Sequence, residues 1–119
     1  MKVLIADDEL RLRKVVSLHL KKAGFEILEA GNGAQAVELA KSGNPDVIVL
    51  DVMMPEMTGL EACKVIKEMP QFSDTPVILL TAMAQSDDIQ KGTDAGAQLY
   101  LTKPFSPKEL IEKINEIKG

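Results

Sequence analysis

Polar residues stand in this 119-residue chain where short apolar runs stop. Asp7, Asp8 and Glu9 follow Val3-Leu4-Ile5-Ala6, Asp51 follows Val47-Ile48-Val49-Leu50, Thr81 follows Val77-Ile78-Leu79-Leu80, and Lys103-Pro104 follows Leu99-Tyr100-Leu101. In an open parallel α/β sheet the ligand binds beyond the carboxyl ends of the strands, so such residues converge on one rim. Carboxylates about 4 Å apart repel by roughly 4 kcal/mol at an effective dielectric near 20. Asp7, Asp8 and Asp51 with the single Lys103 therefore leave two surplus negative charges, and a divalent cation is the natural counter-ion. An oxygen-only donor set suits Mg²⁺, or Mn²⁺ by the same logic, while zinc would want more than one histidine and one cysteine. Neutralised in this way, a carboxylate can be approached by an anionic phosphoryl group, with the Thr81 hydroxyl and the Lys103 ammonium serving its other oxygens. The chemistry is phosphoryl transfer to an aspartate.

Such a rim needs strands and helices in alternation. Apolar runs at Val3 to Ala6, Phe25 to Ala30, Val47 to Val52, Val77 to Ala82 and Leu99 to Leu101, bounded by Asp, Gly, Asn or Pro, predict five strands. The third and fourth are continuous rather than alternating, which requires cover on both faces, as for central parallel strands. Leu12, Val15, Val16 and Leu20 recur at spacings of three and four before Gly24, predicting an amphipathic helix with a glycine stop. Asn32 with Gln35, Thr58 with Glu61, and Ser106-Pro107-Lys108-Glu109 read as helix N-termini. The stretch from about Ser86 to Ala95 has Ile89 as its only large apolar residue and contains Gly92, so a helix there docks weakly. Five alternations with right-handed crossovers make a single α/β domain over residues 1–119, with helices on both faces of the sheet.

Composition narrows the function classes. Fourteen basic and eighteen acidic side chains give a net charge of −4, without the clustered Lys and Arg of a duplex-DNA surface. One cysteine, Cys63, excludes an internal disulfide and a Cys-rich metal site. The N-terminal apolar run is too short for a signal peptide or a membrane span, so the expected location is the cytoplasm, without membrane insertion or direct nucleic-acid binding. The chain ends at Lys118-Gly119, directly after the last helix, and action by docking to other proteins is expected.

Taken together, Asp7-Asp8, the turn Asp51-Val52-Met53-Met54-Pro55, Gly59, Thr81-Ala82, Tyr100 and Lys103-Pro104-Phe105 make the whole chain resemble a response-regulator receiver domain of the CheY type. The resemblance implies the flavodoxin-like (βα)5 fold with strand order 2-1-3-4-5, which sets strands one and three side by side. It implies that Asp51 is the phosphoacceptor and that Mg²⁺ is held by Asp8, Asp51 and the backbone carbonyl of Met53, with Asp7 acting through water. Lys103 would hold the phosphoryl group, and Thr81 and Tyr100 would form the switch pair that alters the face made by the Ser86 to Ala95 stretch, the fifth strand and the last helix. The implied partners are a histidine kinase or histidine phosphotransfer protein and a downstream target protein. Such a protein promotes its own phosphorylation and dephosphorylation and turns over no separate substrate. A cis peptide bond between Lys103 and Pro104 is implied as well. Where the family often has Asp before the glycine of the third loop, this chain has Thr58, and a helix cap accounts for either.

Rival readings fit less well. An Asp-nucleophile phosphohydrolase needs a general acid, typically an Asp two residues on, and position 53 is methionine. A flavin-binding electron carrier needs a Gly, Ser and Thr loop after strand one, where two aspartates stand. A receiver-like interaction module that has lost phosphorylation would not need the complete set of Asp7, Asp8, Asp51, Thr81 and Lys103. His19 falls mid-helix and is expected to be structural or partner-facing. Met53, Met54 and Met83 are expected on loops bordering the site, where Met53 and Met83 would shield a phosphoryl group from water.

Overall fold

The computed structural model describes residues 1–82 and 94–118. Its elements run β1 (Lys2–Ala6), α1 (Leu10–Lys22), β2 (Glu26–Ala30), α2 (Gly33–Gly43), β3 (Val47–Asp51), α3 (Gly59–Lys67), a 3-10 turn (Pro70–Phe72), β4 (Val77–Thr81), β5 (Leu99–Thr102) and the C-terminal helix α4 (Pro107–Lys118). All neighbouring strands pair in parallel, in the order β2-β1-β3-β4-β5. The five strands fall where the apolar runs predict, each with ends moved by no more than a residue. The weak helix expected from about Ser86 lies outside the described residues as far as residue 93.

Continuous apolar strands are divided between two layers by their own alternation. Leu4, Ala6, Ile48, Leu50 and Leu79 pack with Ala36, Val37 and Ala40 of α2 and with Ala62, Cys63 and Ile66 of α3. Val3, Ile5, Val47, Val49, Ile78 and Leu80 pack with Val16 and Leu20 of α1 and with Leu110 and Ile114 of α4. Both layers exclude water, which is why β3 and β4 are buried at every position.

The helix ends are fixed by the signals in the sequence. After α1, the Phe25 N–H donates to the Leu20 carbonyl at 3.1 Å and the Gly24 N–H to that of Lys21 at 3.0 Å, with Gly24 at φ +99°. This double closure needs a left-handed residue, the reason for glycine at that position. Asn32 caps α2 by accepting from the Gln35 N–H at 2.8 Å. Thr58 and Glu61 bond reciprocally at the start of α3, each at 3.2 Å, and Ser106 and Glu109 do so before α4, each at 3.1 Å.

One local expectation is corrected. Val15, one of the periodic residues of α1, is on the exposed side of the helix, and the buried stripe runs through Val16 and Leu20 instead. Between α3 and β4 the 3-10 turn inserts Phe72 fully into the core. The Lys67 ammonium closes that turn by donating to the carbonyls of Phe72, Ser73 and Thr75 at 3.0, 3.0 and 2.7 Å.

Gly59, the first residue of α3, packs directly on the strand that carries Asp51. A Cβ there would overlap the Asp51 carbonyl oxygen and stand 2.7 Å from its carbon. Helix propensity alone makes Gly59→Ala stabilising by up to about 1 kcal/mol. The overlap reverses the sign, and urea unfolding is expected to show Gly59→Ala less stable by roughly 1–3 kcal/mol.

Candidate functional site

The register of the sheet assembles the rim. Ala6 pairs with Leu50, so Asp7 and Asp51 each lie one residue beyond a paired position on adjacent strands. Thr81 pairs with Thr102, which sets Lys103 one residue beyond the end of β5. There the Lys103 N–H donates to the Thr81 carbonyl at 2.7 Å, and the Lys103–Pro104 bond is cis, as the resemblance implies.

Oxygens of Asp7, Asp8 and Asp51 lie within 4.8 Å of one another. Asp7 and Asp51 are buried, and Asp8 is exposed. The Lys103 ammonium sits between the buried pair, 3.2 Å from Asp7 Oδ2 and 3.0 Å from Asp51 Oδ2. The other Asp7 oxygen accepts from the Glu9 N–H at 2.9 Å, and the other Asp51 oxygen from the Met53 N–H at 3.3 Å. One ammonium balances one of three carboxylates, and the clustered donors are all hard oxygens. That donor set suits a small divalent cation that keeps part of its water shell.

Burial raises the Asp51 carboxyl above the ordinary carboxylate range, and the nearby Asp7 adds to the rise, against the lowering effect of Lys103. For Lys103 burial acts downwards, but hydrogen bonds and attraction to Asp51 and Asp7 outweigh it and hold the ammonium above its usual value. The result is a lysine that stays charged beside an aspartate whose charge is disfavoured until a further cation or a reaction relieves it.

The remaining expected residues divide clearly. Thr81 ends β4, and alternation puts it on the same face as Leu79, the residue that Tyr100 opposes across the β4–β5 pair. Thr81 is buried, whereas Tyr100 is half-buried against the layer that holds α2 and α3. Met54, in the loop after Asp51, is 8% exposed and belongs to that same core layer. Met53 stands at the rim, 72% exposed, with its N–H on Asp51 Oδ1. Met83 lies outside the described residues. His19 is exposed on α1, with Nδ1 2.9 Å from the Val15 carbonyl oxygen, away from the rim. The Cys63 thiol donates to the Ala95 carbonyl at 3.3 Å, and burial pushes its pKa up to about 11, which removes it as a nucleophile.

Sequence spacing did not single out Arg13 or Glu29, which flank the rim. Arg13 Nη1 donates to the Asp7 carbonyl oxygen at 2.8 Å, while its Nε pairs with Glu29 Oε1 at 3.1 Å. The signal for this pair is the reach of a long side chain across from α1 to β2, which periodicity does not encode.

The raised Asp51 pKa carries a sign for stability. Because the folded value lies above the unfolded one, the ionised group opposes folding, and the penalty grows as pH rises from the unfolded through the folded value. Without divalent cations, Asp51→Asn is expected to melt on the order of a few degrees above the wild type at pH 7. Calorimetry should show the gap closing as pH falls through the raised folded pKa to the ordinary aspartate value of about 3.9 in the unfolded chain.

Similarity to known proteins agrees with this geometry. Residues 3–115 match the response regulator receiver domain family. The transcriptional regulatory protein SrrA of Staphylococcus aureus is 40% identical over 115 residues, 97% of this chain and 46% of that protein. The chain thus spans about half the length of the curated relatives it matches. Chemotaxis protein CheY4 of Vibrio cholerae superposes with a TM-score of 0.94 at 37% identity, over 98% of this chain and 97% of that one. The receiver domain of the Francisella response regulator 1452 does so with a TM-score of 0.88 at 36% identity, over 98% and 94%. The shared sheet order, the near-complete coverage and the family match over 3–115 leave one assignment: the chain belongs to the receiver domains of two-component response regulators.

Proposed function

We propose that this domain is a phosphorylation switch in which Asp51 takes a phosphoryl group from the phosphohistidine of a histidine kinase or phosphotransfer protein. The observation that carries this reading is the Lys103 ammonium set between Asp7 and Asp51, with the Asp8 carboxylate beside them. An Asp51 oxygen attacks phosphorus, a P–O bond forms, the P–N bond breaks, and the leaving imidazole takes a proton from water. Bound Mg²⁺ supplies charge neutralisation between the acidic cluster and the incoming anion. Asp8 and Asp51, with the Met53 carbonyl, are the direct ligands in this reading, and Asp7 acts through water. Of the three carboxylates Asp8 is the exposed one, open to a cation from solvent.

Once Asp51 is phosphorylated, Lys103 and the Thr81 hydroxyl bond the new oxygens through charge-assisted hydrogen bonds. Tyr100 shares a sheet face with Thr81 and turns into the space it leaves, which alters the surface around β5 and α4 and changes affinity for a downstream protein.

Acetyl phosphate with Mg²⁺ is expected to add one phosphoryl mass to the wild type and none to Asp51→Ala, with no addition in excess chelator. Labelling of the wild type that persists in chelator contradicts the reading. In a Mn²⁺ titration Asp8→Ala should lower affinity at least about tenfold and Asp7→Ala by less, whereas equal losses would contradict the ligand assignment.

A further inference from the structure

Asp7 is pinned at every polar atom. Its N–H donates to the Ala30 carbonyl at 3.1 Å, its carbonyl accepts from Arg13 Nη1 at 2.8 Å, Oδ1 accepts from Glu9 and Oδ2 from Lys103. The Asp7 carbonyl shares a planar peptide unit with the Asp8 nitrogen, so the direction of that carbonyl sets where Asp8 leaves the chain. Asp8 is exposed, and the geometry of its carboxylate depends on this peptide.

Arg13 is itself held in place. Its Nε bonds Glu29 Oε1 at 3.1 Å, and the two side chains are only 16% and 17% exposed. Nη1 also lies 3.5 Å from the Ala30 carbonyl oxygen, which ties the β1–α1 connection to the end of β2. Gly31 leaves the space this needs, since a Cβ there would come within 3.2 Å of Nη1. Lys14 bonds the second Glu29 oxygen at 3.1 Å. Burial acts to raise the Glu29 carboxyl, but the bonds from Lys14 and Arg13 prevail and hold it below the usual value, so it remains an anion that orients Arg13.

We infer that Arg13, oriented by Glu29, is a positioning residue for the metal site: by fixing the Asp7–Asp8 peptide it preorganises the Asp8 carboxylate for a divalent cation. The inference rests on the metal-dependent reading above. Its sign is distinctive. Arg13 is a cation near an acidic cluster, and electrostatics alone makes its removal tighten cation binding. Positioning makes removal weaken it, as loss of an outer partner does at other metal sites.

The test is calorimetric titration of the full chain with Mn²⁺ for wild type, Arg13→Met, Arg13→Lys and Asp8→Asn, each checked by circular dichroism. Arg13→Met is expected to weaken binding about tenfold with the fold intact, and Arg13→Lys, which keeps the charge but not the fork, to fall between. Unchanged or tighter binding in Arg13→Met overturns the inference. Should Arg13→Met not fold, Arg13→Lys decides: weaker binding supports the positioning role and unchanged binding overturns it. Wild-type affinity in Asp8→Asn would place Mn²⁺ elsewhere and overturn the underlying reading instead, which keeps the two failures apart.

Discussion

Parallel pairing of β1 with β3 delivers two buried aspartates side by side, and the rest of the rim answers to the repulsion between them. Lys103 is the answer within the protein. It reaches both carboxylates from the far edge of the sheet, and it does so because β4 and β5 are in register up to Thr81 and Thr102. Burial makes this arrangement costly for the carboxylates, and one ammonium shared by two of them offsets only part of that cost. Asp51 is therefore held in a state that gains from any further positive charge, a poor resting place for a carboxylate and a good one for a group that must react.

The support behind Asp51 is main chain more than side chain. The Gly59 N–H returns to the Val52 carbonyl at 3.0 Å, closing the segment between strand and helix. Within it the Met57 N–H donates to Pro55 at 2.7 Å, with Glu56 at φ +67°, a left-handed position unusual for a residue with a Cβ. Strain in that turn and the close approach of Gly59 have the same origin: seven residues must reverse direction without moving the carboxylate at their start.

Much of this was legible in the amino-acid order. Apolar run lengths located the strands, S/T/N caps located the helix starts, and charged residues at strand ends located the rim, because each signal is local. The strand order was not: it came from the resemblance, since hydrophobic runs say that β1 and β3 are buried but not that they adjoin. Met53 and Met54 show the same limit, identical in type and adjacent in sequence, yet one is exposed and the other is core. The pull of Arg13 on the Asp7 carbonyl was invisible for a related reason, as it depends on the phase of α1 relative to the end of β2.

Asp7, Asp51 and Lys103 stand two residues beyond Ile5, Val49 and Leu101, three members of one core layer. Along β1 and β3 the runs are apolar on both faces, so deleting a single residue inside either would leave a chain that still fills both layers with hydrocarbon. It would, however, turn the terminal aspartate towards α2 and α3, away from Lys103. Packing tolerates such a frame change far better than the rim does. The spacing along these strands thus transmits a phase, and the chemistry reads it more strictly than the core.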